Sequence, residues 1–334
     1  MRSASARGSA AAAFAALATA VPAGGVDLGS AGRAAAADIP GWAGGTFRTA
    51  GGESVTVHVS TTYSPEQVAP QAWAEFFAGL PHGSELASVV VRIAPPAEVT
   101  TLCGESALGC YRVNELIVPG EPVDGMAPEE VARHEYGHHV ASNRSNPPWR
   151  AAQWGPKRWA SAAGVCARSK RGTAFPGDDG RFYRLDPGEA FAEVYRVLAE
   201  EKSGAEVARW GLVDGSFYPD RAALRAAEED VARPWTRATT TRWSSRFGAG
   251  TPRRRLFPVS TPLDGELTAE LRLPQGRLDT LELLGADGRV LARGLWAGAR
   301  TRRLGFVVCG QRKLTLRVTA VGGRGPFHLA LSKP

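Results

Sequence analysis

Near residue 232 the sequence changes character, and no single type of domain accommodates both sides of the change. Upstream, amphipathic helical stretches alternate with short strand-like runs. From Leu256 onward the chain becomes a series of short alternating segments: LTAELRL, TLELLG, RVLARGL, LGFVVCG, KLTLRVTAV and FHLALS. Turns such as ADGR and VGGRGP separate them. Short strands with turn signals at this spacing predict an all-β sandwich over residues 256–334. Between Ala232 and Arg255 lie seven arginines with Thr, Ser and Gly and no acidic residue, which reads as a basic linker over 236–255.

The part before this change, residues 38–235, reads as α+β. ESVTVHVST alternates polar and apolar residues and predicts a strand. SPEQVAPQAWAEFFAGL predicts a helix with Ser64 as N-cap, and Pro70 inside it implies a late start or two pieces. ASVVVRIAPP and YRVNELIVPG predict two further strands, each stopped by proline. In APEEVARHEYGHHVASN, Pro128 opens a helix, and Glu129 and Glu130 lie in its first turn, where they suit the helix dipole. A Trp-rich irregular region spans Pro147 to Tyr183. Two more helices follow, DPGEAFAEVYRVLAEE and DRAALRAAEEDVARPW.

The N-terminus, MRSASARGSAAAAFAALATAVPA, has early arginines, a short apolar run and then small residues. That is the layout of a secretory signal peptide, with cleavage expected after Ala37. The apolar run is too short to span a bilayer stably, so a secreted monomer without stable membrane insertion is expected. An even number of cysteines in an exported chain suggests disulfides. Of the three possible pairings, Cys103–Cys110 with Cys166–Cys309 is favoured, because the first pair encloses a short Gly-containing loop, CGESALGC. The net charge of +7 would allow acidic partners. The basic residues read as scattered, however, and no aromatic-plus-basic motif supports nucleic-acid binding.

The chemistry is concentrated in His134-Glu135-Tyr136-Gly137-His138, an H-E-x-x-H motif on a predicted helix. Residues four apart share a helical face, so both imidazoles reach one ion. Zinc accepts neutral imidazole nitrogens, and three protein ligands leave a fourth position open to water. Glu135 is placed to act as general base. A strand ending in IVPG shortly before the helix fits a zincin-like fold, in which that strand is expected at the sheet edge, pairing with substrate. His139 lies off the metal-facing side and reads as structural or exposed. A metzincin-type third ligand is excluded, since the required Gly and His positions hold Ala141 and Arg144. Asp178 and Asp179 fit a third ligand poorly. Glu189 and Glu193 in PGEAFAE share a helical face; one could ligate while the other receives a hydrogen bond from a ligating His. Glu189 also stands three residues after Asp186, as in a capping box.

HEYGH together with GEAFAE resembles the gluzincin arrangement, and YRLDPGEAFAEVYR is similar to the second metal helix of anthrax lethal factor-type peptidases. The resemblance covers roughly Tyr111 to Arg196. It implies a Zn2+ site of His134, His138 and Glu189, Glu193 as hydrogen-bond partner of a ligating His, and Tyr183 as oxyanion stabiliser, with Tyr218 as a competing donor. The tryptophans at 149, 154, 159 and 210 could line a cleft but more often serve packing. The expected activity is hydrolysis of a protein or peptide substrate. The rival is a non-catalytic binding or adhesion protein on the same scaffold.

Overall fold

The computed structural model describes residues 41–334; the expected signal peptide lies outside the described residues. The described residues 41–334 belong to one compact unit. Its first part is a five-stranded mixed sheet with helices, and its last part is all β.

The mixed sheet comprises β1 (Trp42–Arg48), β2 (Ser54–Ser60), β3 (Val90–Ala94), β4 (Cys110–Arg112) and β5 (Glu115–Pro119), in the order β1-β2-β3-β5-β4. The three central strands are parallel, and both outer strands run antiparallel to their neighbours. β2, β3 and β5 are rich in Val and Ile, as strands covered by helices must be. Two expectations change here. YRVNELIVPG is not one strand but the hairpin β4–β5, turning at Asn114, whose φ is 59°. The strand before the HExxH helix is therefore internal, and the three-residue β4 forms the sheet edge.

The helices are α1 (Pro70–Ala78), α2 (Pro96–Cys103), α3 (Pro128–Ser142), α4 (Ala151–Trp154), α5 (Lys157–Ala162), α6 (Val165–Lys170), α7 (Pro187–Ser203) and α8 (Arg221–Ala232). α1 starts late, at Pro70, after a separate turn closed by Ser64 O. The stretch expected to be irregular contains the short helices α4–α6, and Trp159 from it is fully buried in the core. One hydrophobic core joins the sheet to α1, α3, α7 and α8. Among the described residues no helix is long and apolar enough to cross a membrane.

The C-terminal part has two sheets facing one apolar core. One sheet orders β11 (Leu295–Trp296), β12 (Thr301–Val308), β8 (Gly265–Arg272), β14 (Gly325–Lys333) and β6 (Thr239–Phe247). The other orders β10 (Val290–Arg293), β9 (Thr280–Leu284), β13 (Lys313–Thr319) and β7 (Arg254–Ser260). The segment expected to be a basic linker is thus mostly strand: β6 pairs along its whole length with β14. Its inward residues Trp243 and Phe247 supply the apolar face that makes it a strand.

Two disulfides join Cys103 to Cys110 and Cys166 to Cys309. The second fastens α6 to the end of β12, beside other ties. The fully buried Lys157 donates to Pro147 O (2.6 Å) and Asp264 O (3.0 Å). Arg312 donates to Asp264 Oδ1 (2.5 Å) and to Ser161 O (2.9 Å). The all-β part is therefore mounted on the helical part by a covalent bond and buried polar contacts. The two disulfides and the absence of a membrane-spanning helix among the described residues are compatible with a secreted protein.

Candidate metal centre

α3 and α7 pack against each other, and they approach closely at Gly137. A Cβ built there would lie 2.8 Å from Ala192 Cα and 3.0 Å from Ala192 O. Glycine within a helix costs about 1 kcal/mol relative to alanine. Here it lets the two helix backbones touch, which sets the histidines of α3 opposite the carboxylates of α7. Gly137→Ala should therefore lower stability by about 1–3 kcal/mol, because overpacking outweighs the propensity gain. Urea denaturation reads this, and a stabilised variant would show that the crossing is not tight.

His134 Nε2 lies 3.2 Å from Glu189 Oε2, and His138 Nε2 lies 3.5 Å from Glu189 Oε1. One ligand atom from each of His134, His138 and Glu189 falls within 4.8 Å of the others. Glu189 does not close the expected capping box. Asp186 caps α7 through Gly188 N (2.9 Å), and its own N–H donates to Tyr183 O (2.9 Å). The Glu189 carboxylate is turned to the histidines instead. Tyr183 Oη donates to Glu189 Oε2 at 2.6 Å, so the phenol lines the cleft while engaged with the carboxylate.

Glu193 Oε2 lies 3.9 Å from His134 Nδ1, a nitrogen that is buried without a hydrogen-bond partner. Arg196 holds Glu193 in place. Its guanidinium donates twice to Glu193 (2.8 Å each) and twice to Glu200 (2.7 and 2.6 Å), and all three side chains are fully buried. Arg196 also lies over the Trp210 ring (4.5 Å), whose centroid is 5.7 Å from that of His134. On the other side the Tyr111 ring stacks near His138, at 6.5 Å and 15°.

The electrostatics favour positive charge at the centre. Burial works against a protonated His134, yet the Glu189 and Glu193 carboxylates raise it to about 10. His138 is raised in the same sense, against burial, by Glu189. Burial would lift Glu189, but the two rings hold it well below the usual carboxylate range. Glu135, beside them, is pushed up by burial. A field that draws charge onto both imidazoles also suits a divalent cation. The His-His-Glu donor set, the convergent atoms and the unpartnered Nδ1 facing Glu193 fit a metal ion at this point.

The centre opens into a cleft of about 1010 Å³. Its floor includes Glu135 and the edge strand β4, and one wall is the disulfide-closed loop from Cys103 to Cys110. Gly109 presses that loop onto α3: a Cβ there would lie 2.8 Å from Val131 Cγ1 and 3.1 Å from Glu135 Cγ.

Other candidates fall elsewhere. His139 is fully buried with Nε2 2.9 Å from Glu85 O, a structural role. Asp178 accepts from Gly180 N and Phe182 N, 3.0 Å each, and closes a loop. Asp179 lines the cleft without joining the ligand cluster. Tyr218 lies outside the cleft, under Arg209. Of the tryptophans, Trp210 lines the cleft, Trp149 stacks on Trp154, and Trp159 is core. Sequence reasoning missed Tyr111, Gly109 and Arg196. Only Arg196 carries a local signal, its spacing of three and four residues from Glu193 and Glu200.

No family model and no curated protein matches the sequence. Among solved structures, part of the chain is similar to the pre-peptidase C-terminal domain of collagenase from Bacillus anthracis. Identity is 18% and the TM-score 0.23, over 28% of this chain and 88% of that one. Part is also similar to the SPBc2 prophage-derived protein YomS, at 14% identity and a TM-score of 0.20, over 28% of this chain and 96% of that one. Neither likeness assigns a fold or an activity.

Proposed function

We propose that the protein is a secreted zinc-dependent metallopeptidase of the gluzincin type, with a zincin-like catalytic region followed by a β-sandwich. The observation that carries the reading is the convergence of His134, His138 and Glu189 at one end of a cleft that also contains Glu135. Zinc bound by these three residues would supply a Lewis acid and ease deprotonation of a water at neutral pH.

The chain's own groups account for the remaining work. Glu135 takes the proton of the attacking water and delivers it to the leaving amine. Glu193, fixed by Arg196 at 3.9 Å from His134 Nδ1, favours a proton on that nitrogen and so the tautomer that leaves Nε2 free to ligate. Tyr183 orients the Glu189 carboxylate through its 2.6 Å contact, and as a phenol lining the cleft it is the candidate to stabilise an oxyanion. The unpaired side of β4 offers backbone groups to an extended peptide.

Casein, an unstructured protein, tests the reading. Cleavage should stop on metal chelation and return with added zinc, and mass spectrometry should find new peptide termini. Stoichiometric zinc with no cleavage of casein or of a peptide library would favour a binding protein on the same scaffold.

A further inference from the structure

The charge of this protein is divided between its two parts. Residues 236–334 contain 18 basic and 6 acidic residues, a net of +12. Residues 38–235 contain 19 basic and 26 acidic residues, a net of −7. The basic residues are therefore segregated, not scattered as the sequence first suggests.

Part of this excess lines one edge of the sandwich. β6 and β7 are consecutive in the chain and terminate the two sheets, each with one side unpaired. Along β6, Trp243, Ser245 and Phe247 turn inward, which leaves Arg242 and Arg246 exposed on the outer face. Arg253 and Arg254, at the start of β7, are exposed as well. Arg255 donates to Arg246 O (3.5 Å), and Trp243 meets Phe257 (5.3 Å), so the two strand ends are adjacent.

Elsewhere on the sandwich several arginines are neutralised, Arg272 and Arg303 by Glu270 and Arg293 and Arg317 by Glu282, while Arg300, Arg302 and Arg324 lie outside these pairs. No acidic residue occurs between Asp230 and Asp264. Among the described residues, Arg242, Arg246, Arg253 and Arg254 have no carboxylate partner within 4.0 Å. Charged side chains do protect open sheet edges from pairing, but either sign serves that purpose. A run of one sign creates a field, and a field of this kind attracts extended anions.

We propose that the β6–β7 edge binds an anionic polysaccharide, sulfated or carboxylated, and that it anchors the molecule there. The aromatic rings of both strands face the core, so the edge lacks the stacking platform that single-stranded nucleic acid uses. Two disulfides fit an oxidising compartment, where polysaccharides are the abundant polyanions. The Cys166–Cys309 bond, the buried Lys157 and the Arg312 contacts fix this edge to the catalytic part, so the cleft would be held rigidly relative to the polymer.

Binding by the intact, disulfide-bonded protein tests this without reference to peptidase activity. The probes are heparin for sulfate, hyaluronan for carboxylate, and a short DNA duplex. Replacing Arg242, Arg246, Arg253 and Arg254 by Gln should weaken polysaccharide binding roughly 100-fold and make the log–log salt slope shallower by about 3–4. A control with the same charge change, Arg171, Arg221, Arg225 and Arg289 to Gln, should stay within about threefold of the parent. Binding to heparin alone, or to both polysaccharides, supports the proposal and names the anionic group. Equal losses in the two variants, duplex DNA binding as tightly as either polysaccharide, or no polysaccharide binding at low salt would each overturn it.

Discussion

Glu135→Gln is expected to keep zinc at the level of the parent protein while casein cleavage falls by about 100- to 10,000-fold, the range for loss of a general acid–base group. The separation of the two readouts follows from geometry. Glu135 belongs to the cleft but not to the cluster of convergent ligand atoms, which is His134, His138 and Glu189. The amide is isosteric, so packing against Gly109 and the loop from Cys103 to Cys110 is retained. Loss of zinc together with activity would instead place Glu135 among the ligands. Unchanged cleavage would remove it from the chemistry.

The second large effect lies one layer out. Arg196 neutralises two fully buried carboxylates, Glu193 and Glu200, and donates to Ala208 O as well. Arg196→Leu leaves both carboxylates buried without their partner, which costs about 3–5 kcal/mol. Because Glu193 would then lose its fixed position beside His134 Nδ1, zinc affinity should fall about 10- to 100-fold. Chemical denaturation and competitive zinc titration read the two effects separately. A stable variant with parental zinc affinity would show that the triad neither holds α7 nor orients His134. Glu193→Gln is the milder companion: it retains the hydrogen-bonding shape while removing the charge, and should affect zinc more than folding.

Much of this was readable in the sequence because the decisive elements are regular. α3 and α7 carry prolines at their first turns and polar residues at helical spacing, and their pairs His134/His138 and Glu189/Glu193 follow from a period of 3.6. The sandwich strands β8, β13 and β14 alternate cleanly. What was missed has local causes. Pro95 and Pro96 read as a stop after β3, yet proline also opens helices, and α2 begins at Pro96. The β4–β5 turn contains neither Gly nor Pro, and only Asn114, a residue that tolerates positive φ, marked it. β6 is polar on its exposed face, so its arginines and threonines masked the inward Trp243 and Phe247. Close contacts between distant residues, such as Gly137 on Ala192 or Trp210 beside His134, have no signature along the chain.

Zinc titration of metal-free protein, with casein cleavage followed at each addition, tests the central claim most directly. Cleavage should rise in proportion to added zinc and level off sharply at one zinc per chain, and Glu189→Ala should abolish that break. Cleavage that is independent of zinc, or a fully zinc-loaded protein that cleaves nothing, would contradict the account.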